Sequence, residues 1–369
     1  MSNQNEQRRP PFAERPRPTG TWDLTLPSLK EAYKDHFLFG NIMDTWDFDD
    51  QPTLDMFAHH YNAMTIENSM KPINISSAKG VYDFSKADRY IEWAESKGIA
   101  VHGHCFLWHG QSAPWLNQTA EGEPLTRAEA RENMESFIST YAGRYKGRIK
   151  SWDVLNEAML DKGEYDGDWK AHMRPDKAMW FRAYANGAKD GEHGSDYVYD
   201  AFKLTRKYDP TALLYYNDYN EEIPPKRDAI TDMVLAINEQ WKKDPDYDNR
   251  LLIEGIGMQS HQNSKKDANL FEDAIKKYIT TGCQIAVTEL DYGFTEEEGV
   301  LTPELEEAQA KAYAHLFRLY KKYSKHIERV TFWGKADSRS WRFKHAPTLF
   351  DREFKAKKAF FAAIKPEDF

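Results

Sequence analysis

Short apolar runs rich in β-branched and aromatic residues recur along the chain, and each is followed by a stretch of helical period. The runs at 37–41, 63–68, 99–108, 149–156, 213–217, 252–259, 284–289 and 330–333 have strand length. Between them, apolar positions three and four apart predict helices over 54–61, 87–97, 126–145, 197–208, 228–241, 269–280, from 302 onward, and over 354–364. Local signals place several helix ends. Gly98 suits the position after the helix over 87–97, because glycine takes positive φ at little cost. Thr126 and Glu129 have capping-box spacing, and Thr302 followed by Pro303 is a cap with proline at the first helical position. Residues 1–20, rich in Asn, Gln, Arg and Pro, lack apolar periodicity and are expected to be a disordered low-complexity tail. A polar, aromatic-bearing excursion covers 160–194.

Eight strand–helix alternations without a tandem sequence repeat predict one α/β domain over 21–369, a (β/α)8 TIM barrel with an extended loop after the fourth strand. A doubly wound open sheet is the alternative, and it calls for a glycine-rich turn opening a helix. The densest glycine pattern, Gly255-Ile256-Gly257, lies inside a strand run instead.

The strand ends carry the chemistry. They read Glu67-Asn68 with Lys71 beyond; His104 and then Trp108-His109-Gly110-Gln111; Asn156-Glu157; Asn217-Asp218-Tyr219-Asn220; Gln259-Ser260-His261; Glu289-Leu290-Asp291; and Trp333-Gly334, followed by Asp337 and Trp341. In a barrel all these ends converge on one face. An ionised carboxylate at the tip of an apolar strand is costly unless the strand opens into a polar site. Two lone carboxylates on different sides of the ring, Glu157 and Glu289, suit cleavage of a glycosidic bond. One carboxylic acid protonates the leaving oxygen, and one carboxylate attacks or activates water. The Asn, Gln, His, Lys and Trp side chains around them suit sugar hydroxyls and ring faces.

Composition narrows this further. Aromatics make up 14% of the chain, with 11 Trp and 20 Tyr, which fits a ligand with flat apolar faces and hydroxyl edges. A net charge of −9 argues against a nucleic-acid partner, which needs a clustered basic surface. No apolar run approaches the roughly 18 residues of a membrane span. No basic segment followed by an apolar one opens the chain. Cys105 and Cys283 lie in strand runs and read as small buried hydrophobes. His102 and His104 form an H-x-H pair, which some barrel hydrolases use to hold zinc. Here it falls on the third strand without the further ligands such a site requires, so no metal is expected, nor any cofactor.

With these residues in place, the chain from about residue 25 to its end resembles glycoside hydrolase family 10, the endo-β-1,4-xylanase family. The matching stretches are Glu67-Asn68-Ser69-Met70-Lys71, Gly103 to Gln111, Trp152 to Ala158, Tyr216 to Asn220, Gly255 to His261, Thr288 to Asp291 and Trp333-Gly334, in family order. The resemblance implies a retaining hydrolase of xylan or xylo-oligosaccharides. Glu157 is then the general acid/base and Glu289 the nucleophile. Asn156 holds the 2-hydroxyl of the sugar at subsite −1, and His261 steadies the nucleophile with Asp291 behind it. Asn217 and Gln259 complete the catalytic shell. Glu67, Asn68, Lys71, His104, Trp108 and Gln111 line subsites −1 and −2, with Tyr219, Trp333 and Trp341 also binding substrate. Lys71 and the tryptophans resemble a pocket that crowds the hydroxymethyl group of glucose, so xylan is favoured over a β-1,4-glucan.

Departures from the family pattern are Ser69, Gly110, Lys335-Ala336, Lys358 and the length of the 160–194 excursion, which is expected to shape the aglycone side. Trp22, Trp46, Trp93, Trp180 and Trp241 lie away from the strand tips and are expected in packing or at the surface, while Trp115 and Trp169 could serve either role. A carbohydrate-binding barrel without catalysis is the non-enzyme alternative, but such proteins normally lose one of the carboxylates, and both are present. A monomer is expected. Because xylan does not cross a membrane, extracellular or cell-surface action with the signal sequence absent from this chain is expected, with a cytoplasmic enzyme trimming imported oligosaccharides as the alternative.

Overall fold

Eight parallel strands close on themselves in the computed structural model, which describes residues 20–161, 163–174, 178–294 and 301–369. In chain order the strands are β1 (Leu38–Met43), β2 (Ala63–Ile66), β3 (Ala100–Trp108), β4 (Ser151–Asn156), β5 (Leu213–Asp218), β6 (Gly255–Met258), β7 (His261–Asn263), β8 (Gln284–Gly293) and β9 (Ile327–Phe332). Neighbours run β6-β5-β4-β3-β2-β1-β9-β8, and the β6–β8 pairing closes the ring. β7 is a short addition that pairs with the far part of β8, setting His261 opposite Asp291. Helices connect the strands and pack outside them, as parallel pairing demands.

Register sets the height of the strand tips. Trp108 pairs with Asn156, and Asn156 with Asn217, so three adjacent strands end at one level. Irregularities between His104 and Leu107, between Asp153 and Leu155, and between Val287 and Leu290 lie just below those ends. Bulges of this kind re-aim side chains at barrel rims.

The core between strands and helices is aromatic. Phe106, Trp152, Phe137 and Tyr141 are fully buried, and the Phe106 and Tyr141 rings each touch the other three. Gly103 leaves room for this cluster: a Cβ there would stand 2.0 Å from the Trp152 ring. Inside the barrel the floor is polar. Arg329 is buried, donates to Ser151 Oγ at 3.2 Å and lies over the Tyr215 ring.

Several elements differ from the sequence reading. β8 continues to Gly293 because β7 gives it a partner beyond residue 289. The helix expected from 228 begins at Pro224, where proline at N1 loses no needed N–H. The closing helix starts at Lys358, not 354, because Phe354 has φ +66° and an isolated bridge joins Phe350 to Ala356. The 160–194 stretch carries a helix, Met179–Ala185, and a Met159–Met173 bridge. Thr126 and Glu129 do form a capping box, Thr302 does cap its helix, and both cysteines are buried and free. Residues 1–19, assigned to the tail, lie outside the described residues.

Candidate active site

A cavity of about 650 Å³ opens at the C-terminal ends of the strands. Its wall contains Glu67, Asn68, Lys71, His104, Trp108, Gln111, Asn156, Glu157, Tyr219, Gln259, His261, Glu289, Trp333 and Trp341, together with Asn220. Of the residues expected at the site, Asn217 and Asp291 do not line the wall. Both are fully buried behind it and support residues that do.

Glu157 follows the last residue of β4 in a left-handed conformation, φ +57°. Its N–H donates to the Asn217 carbonyl at 2.9 Å, and its own carbonyl accepts from Arg174 Nε at 3.0 Å, so the turn is held from both sides. The carboxylate accepts from Gln259 Nε2 at 3.0 Å on Oε1 and from Trp108 Nε1 at 2.8 Å on Oε2. Burial raises its pKa above the usual carboxylate range. The hydrogen bonds from Gln259 and Trp108 oppose that, while the charges of Asp218 and Glu289 add to it.

Glu289, on β8, is placed differently. Asn217 Nδ2 donates to Oε1 at 3.0 Å, and His261 Nε2 lies 3.1 Å from Oε2. His261 Nδ1 is 2.9 Å from Asp291 Oδ2. Burial alone would lower the His261 pKa, but Asp291 and Glu289 outweigh it and raise it to about 10. The ring is therefore an imidazolium that donates to both carboxylates. Trp341 Nε1 at 3.0 Å and the Arg342 guanidinium also donate to Asp291.

Asn156 joins the two halves. Its Oδ1 accepts from Asn217 Nδ2 at 3.0 Å and from Gln259 Nε2 at 3.3 Å. Thr288 Oγ1 donates to Asn217 Oδ1 at 2.7 Å, which fixes that amide's orientation. With its oxygen occupied, Asn156 has its amide N–H groups to offer a ligand hydroxyl.

One side of the cavity is built from β2 and β3. Lys71 Nζ donates to Asn68 Oδ1 and Gln111 Oε1, both at 2.9 Å, and lies over the Trp108 ring at 5.3 Å. Asp44, just past β1, accepts from the N–H groups of Asn68 and Ser69 at 2.6 and 2.9 Å. Burial pushes the Glu67 carboxyl up to about 6 against the opposing pull of Lys335 and Lys71. His104 Nδ1 is 2.8 Å from Asp153 Oδ2, and its ring meets Trp333 edge-on at 5.6 Å. His102 Nε2 lies 3.0 Å from the same carboxylate oxygen, so a carboxylate inside the barrel joins the H-x-H pair. Just past β5, the Tyr219 hydroxyl accepts from Arg174 Nη2 at 2.6 Å and donates to Asp161, with Lys226 Nζ 3.9 Å from its ring centroid.

β1 runs to Met43, two residues past its expected end, and Trp46 is half-buried three residues beyond it. Trp22, Trp180 and Trp241 are buried, as expected for packing. Trp93 packs edge-on against Phe48 and Phe57. Asp161, Arg174 and Lys226, which hold Tyr219, carry no signal of that role in the sequence. Asp161 and Arg174 belong to the long excursion, and no local pattern announces which charged residues of a loop fold back onto a site.

The glycosyl hydrolase family 10 model matches residues 28–366. Endo-1,4-beta-xylanase A of Thermotoga neapolitana is 36% identical over 356 residues, covering 93% of this chain. The chain spans 31% of the length of that relative. Endo-1,4-beta-xylanase B of Paenibacillus barcinonensis is 34% identical, with 92% of this chain and 98% of that protein covered. Among solved structures, a GH10 xylanase with a bacterial Ig-like domain from termite gut superposes with a TM-score of 0.85 at 36% identity, covering 95% of this chain and 80% of that one. An intracellular xylanase from Thermoanaerobacterium saccharolyticum superposes at 0.80 with 29% identity, covering 93% of this chain and 100% of that one.

Proposed function

The chain belongs to glycosyl hydrolase family 10, and from that premise we propose that it is a retaining endo-β-1,4-xylanase acting on xylan or xylo-oligosaccharides, with Glu157 as acid/base and Glu289 as nucleophile. The observation that carries this reading is the unequal setting of the two carboxylates in one cavity. Glu157 is buried, accepts from Trp108 and Gln259, and has a raised pKa, as a proton donor requires. Glu289 faces an imidazolium and an amide donor, as an anionic nucleophile requires. In the first step a Glu289 oxygen attacks the anomeric carbon, the glycosidic C–O bond breaks, and the Glu157 proton goes to the leaving oxygen. In the second step Glu157 takes a proton from water, whose oxygen displaces Glu289 and restores both carboxyls. Asn156 donates to the 2-hydroxyl during both steps. The residues about Lys71 and Trp108 bind the glycone, and Tyr219 is the platform on the aglycone side.

Xylan is too large to cross a membrane, so the reading includes action outside the cell. Among the described residues no helix is long and apolar enough to span a bilayer. Trimming of short oligosaccharides inside the cell is the second reading, in line with the relative described as intracellular. Incubation with xylan and with xylotetraose, with products resolved by chromatography and their anomers followed by NMR, tests both. Internal cleavage of polymer with initial release of the β-anomer is expected. Inversion would defeat the mechanism, and activity confined to oligomers would favour the second reading.

A further inference from the structure

Glu221 and Glu222 are adjacent, 0% and 1% exposed, and no step of the reaction above uses either. They lie just past β5, next to the cavity residue Asn220. Glu222 is paired with Lys266 at 2.7 Å. Glu221 is engaged otherwise. Its Oε1 accepts from both the backbone N–H and the hydroxyl of Ser260, each at 3.2 Å. Its carbonyl accepts from Tyr278 OH at 2.7 Å, which ties it to the helix Ala268–Ile279.

Ser260 separates Gln259 from His261, between the end of β6 at Met258 and the start of β7 at His261. It is fully buried with φ +58°, a conformation uncommon for serine and kept where the surroundings hold it. Leaving the ladder deprives its N–H of a strand partner, and a buried N–H needs an acceptor. Glu221 supplies one. The turn also decides where its neighbours point. Before it, Gln259 is held by the Asp218 carbonyl at 3.0 Å and reaches Glu157. After it, His261 drops into register with Asp291 and reaches Glu289.

We propose that Glu221 is a positioning residue for both catalytic carboxylates: by holding the N–H and Oγ of Ser260 it fixes the turn that aims Gln259 at the acid/base and His261 at the nucleophile. The inference rests on the assignment of Glu157 and Glu289 made above. It concerns a side chain that touches neither substrate nor the reacting atoms. Burial, and then the charge of Glu222, push the Glu221 carboxyl up, toward the neutral acid. Glutamine has the same shape and keeps the acceptor oxygen.

The test compares Glu221→Ala, Glu221→Gln and the parent enzyme on an aryl β-xylobioside at pH 6 to 7. Glu221→Ala should lower kcat by about 10-fold or more with KM within about 2-fold, since a misaimed catalytic group slows chemistry without unmaking the binding cavity. Glu221→Gln should restore kcat to within about 3-fold of the parent. Unchanged kcat in Glu221→Ala, or an equal loss in Glu221→Gln, overturns the proposal. If Glu221→Ala does not fold, Ser260→Ala removes the Oγ bond alone, and a fall in kcat at constant KM is then the supporting result and no change the opposing one. An inactive parent enzyme would instead defeat the xylanase reading.

Discussion

Glu157 accepts hydrogen bonds from an indole and an amide, whereas Glu289 accepts from an amide and an imidazolium. That difference in donors, with Asp218 close to Glu157, gives two carboxylates of the same residue type unlike settings, and the proposed roles of acid and nucleophile rest on it. It leads to a split in mutant behaviour. Glu289→Ala should remove turnover on every substrate, because no glycosyl-enzyme can form. Glu157→Ala should cost about 100-fold or more on xylan, which needs its leaving oxygen protonated, and far less in the first step with a dinitrophenyl glycoside, which does not. Steady-state rates on the two substrates check this, and equal losses on both would count against the assignment.

At the scale of elements, β3 and β4 carry His104, Trp108 and Asn156 and lead into Glu157, and their outward faces explain why they stay put. Gly103 on β3 lets the Trp152 ring of β4 lie across it, and Trp152 Nε1 is anchored to Asp209 Oδ2 at 3.0 Å. A methyl group at Gly103 has nowhere to go except into that ring, so Gly103→Ala should destabilise the fold by about 1–3 kcal/mol. Urea unfolding of the two proteins measures it, and a loss below about 0.5 kcal/mol would mean that the strands shift to make room. The excursion after β4 acts as an element too. Asp161 pairs with Lys226 at 2.7 Å and receives the Tyr219 hydroxyl, so the loop braces the Tyr219 wall of the cavity rather than hanging free of it.

Across the whole molecule, buried ionisable groups set how stability varies with pH. His60 is fully buried, and burial, followed by the charges of His59 and Lys30, lowers its pKa from 6.5 to about 3. The unfolded chain then binds a proton that the folded one refuses, so stability falls as pH drops from 6.5 toward 3, at up to about 1.4 kcal/mol per pH unit. His261 runs the other way. With its pKa raised to about 10, its contribution is whole below 6.5 and is lost as pH rises to 10. Glu221 acts in the same sense from a lower start: burial raises its carboxyl, so its contribution is whole below 4.5 and is lost as pH rises above that. Unfolding midpoints from pH 4 to 10 should therefore peak in the mildly acidic to neutral range, and a midpoint still rising at pH 9 would contradict this balance.

The barrel and most of the residues that line its cavity were legible in the sequence, because both depend on local pattern. A strand of a parallel barrel must be apolar along its length and be followed by a helix, and its open end is where polar residues are tolerated. Asn156-Glu157, Thr288-Glu289-Leu290-Asp291 and Glu67-Asn68 stand out for that reason alone. Pairing was not legible. That Asn217 and Gln259 share the Asn156 oxygen, that Asp161 and Arg174 fold back onto Tyr219, and that Glu221 holds Ser260 all depend on register, on bulges and on one left-handed turn. Such contacts join residues tens to hundreds of positions apart, and no periodicity records them. The chain by itself determined which side chains reach the open end of the barrel. Only the closed ring decided which of them touch, because closure fixes the relative height of every strand and so the distance from each tip to the next.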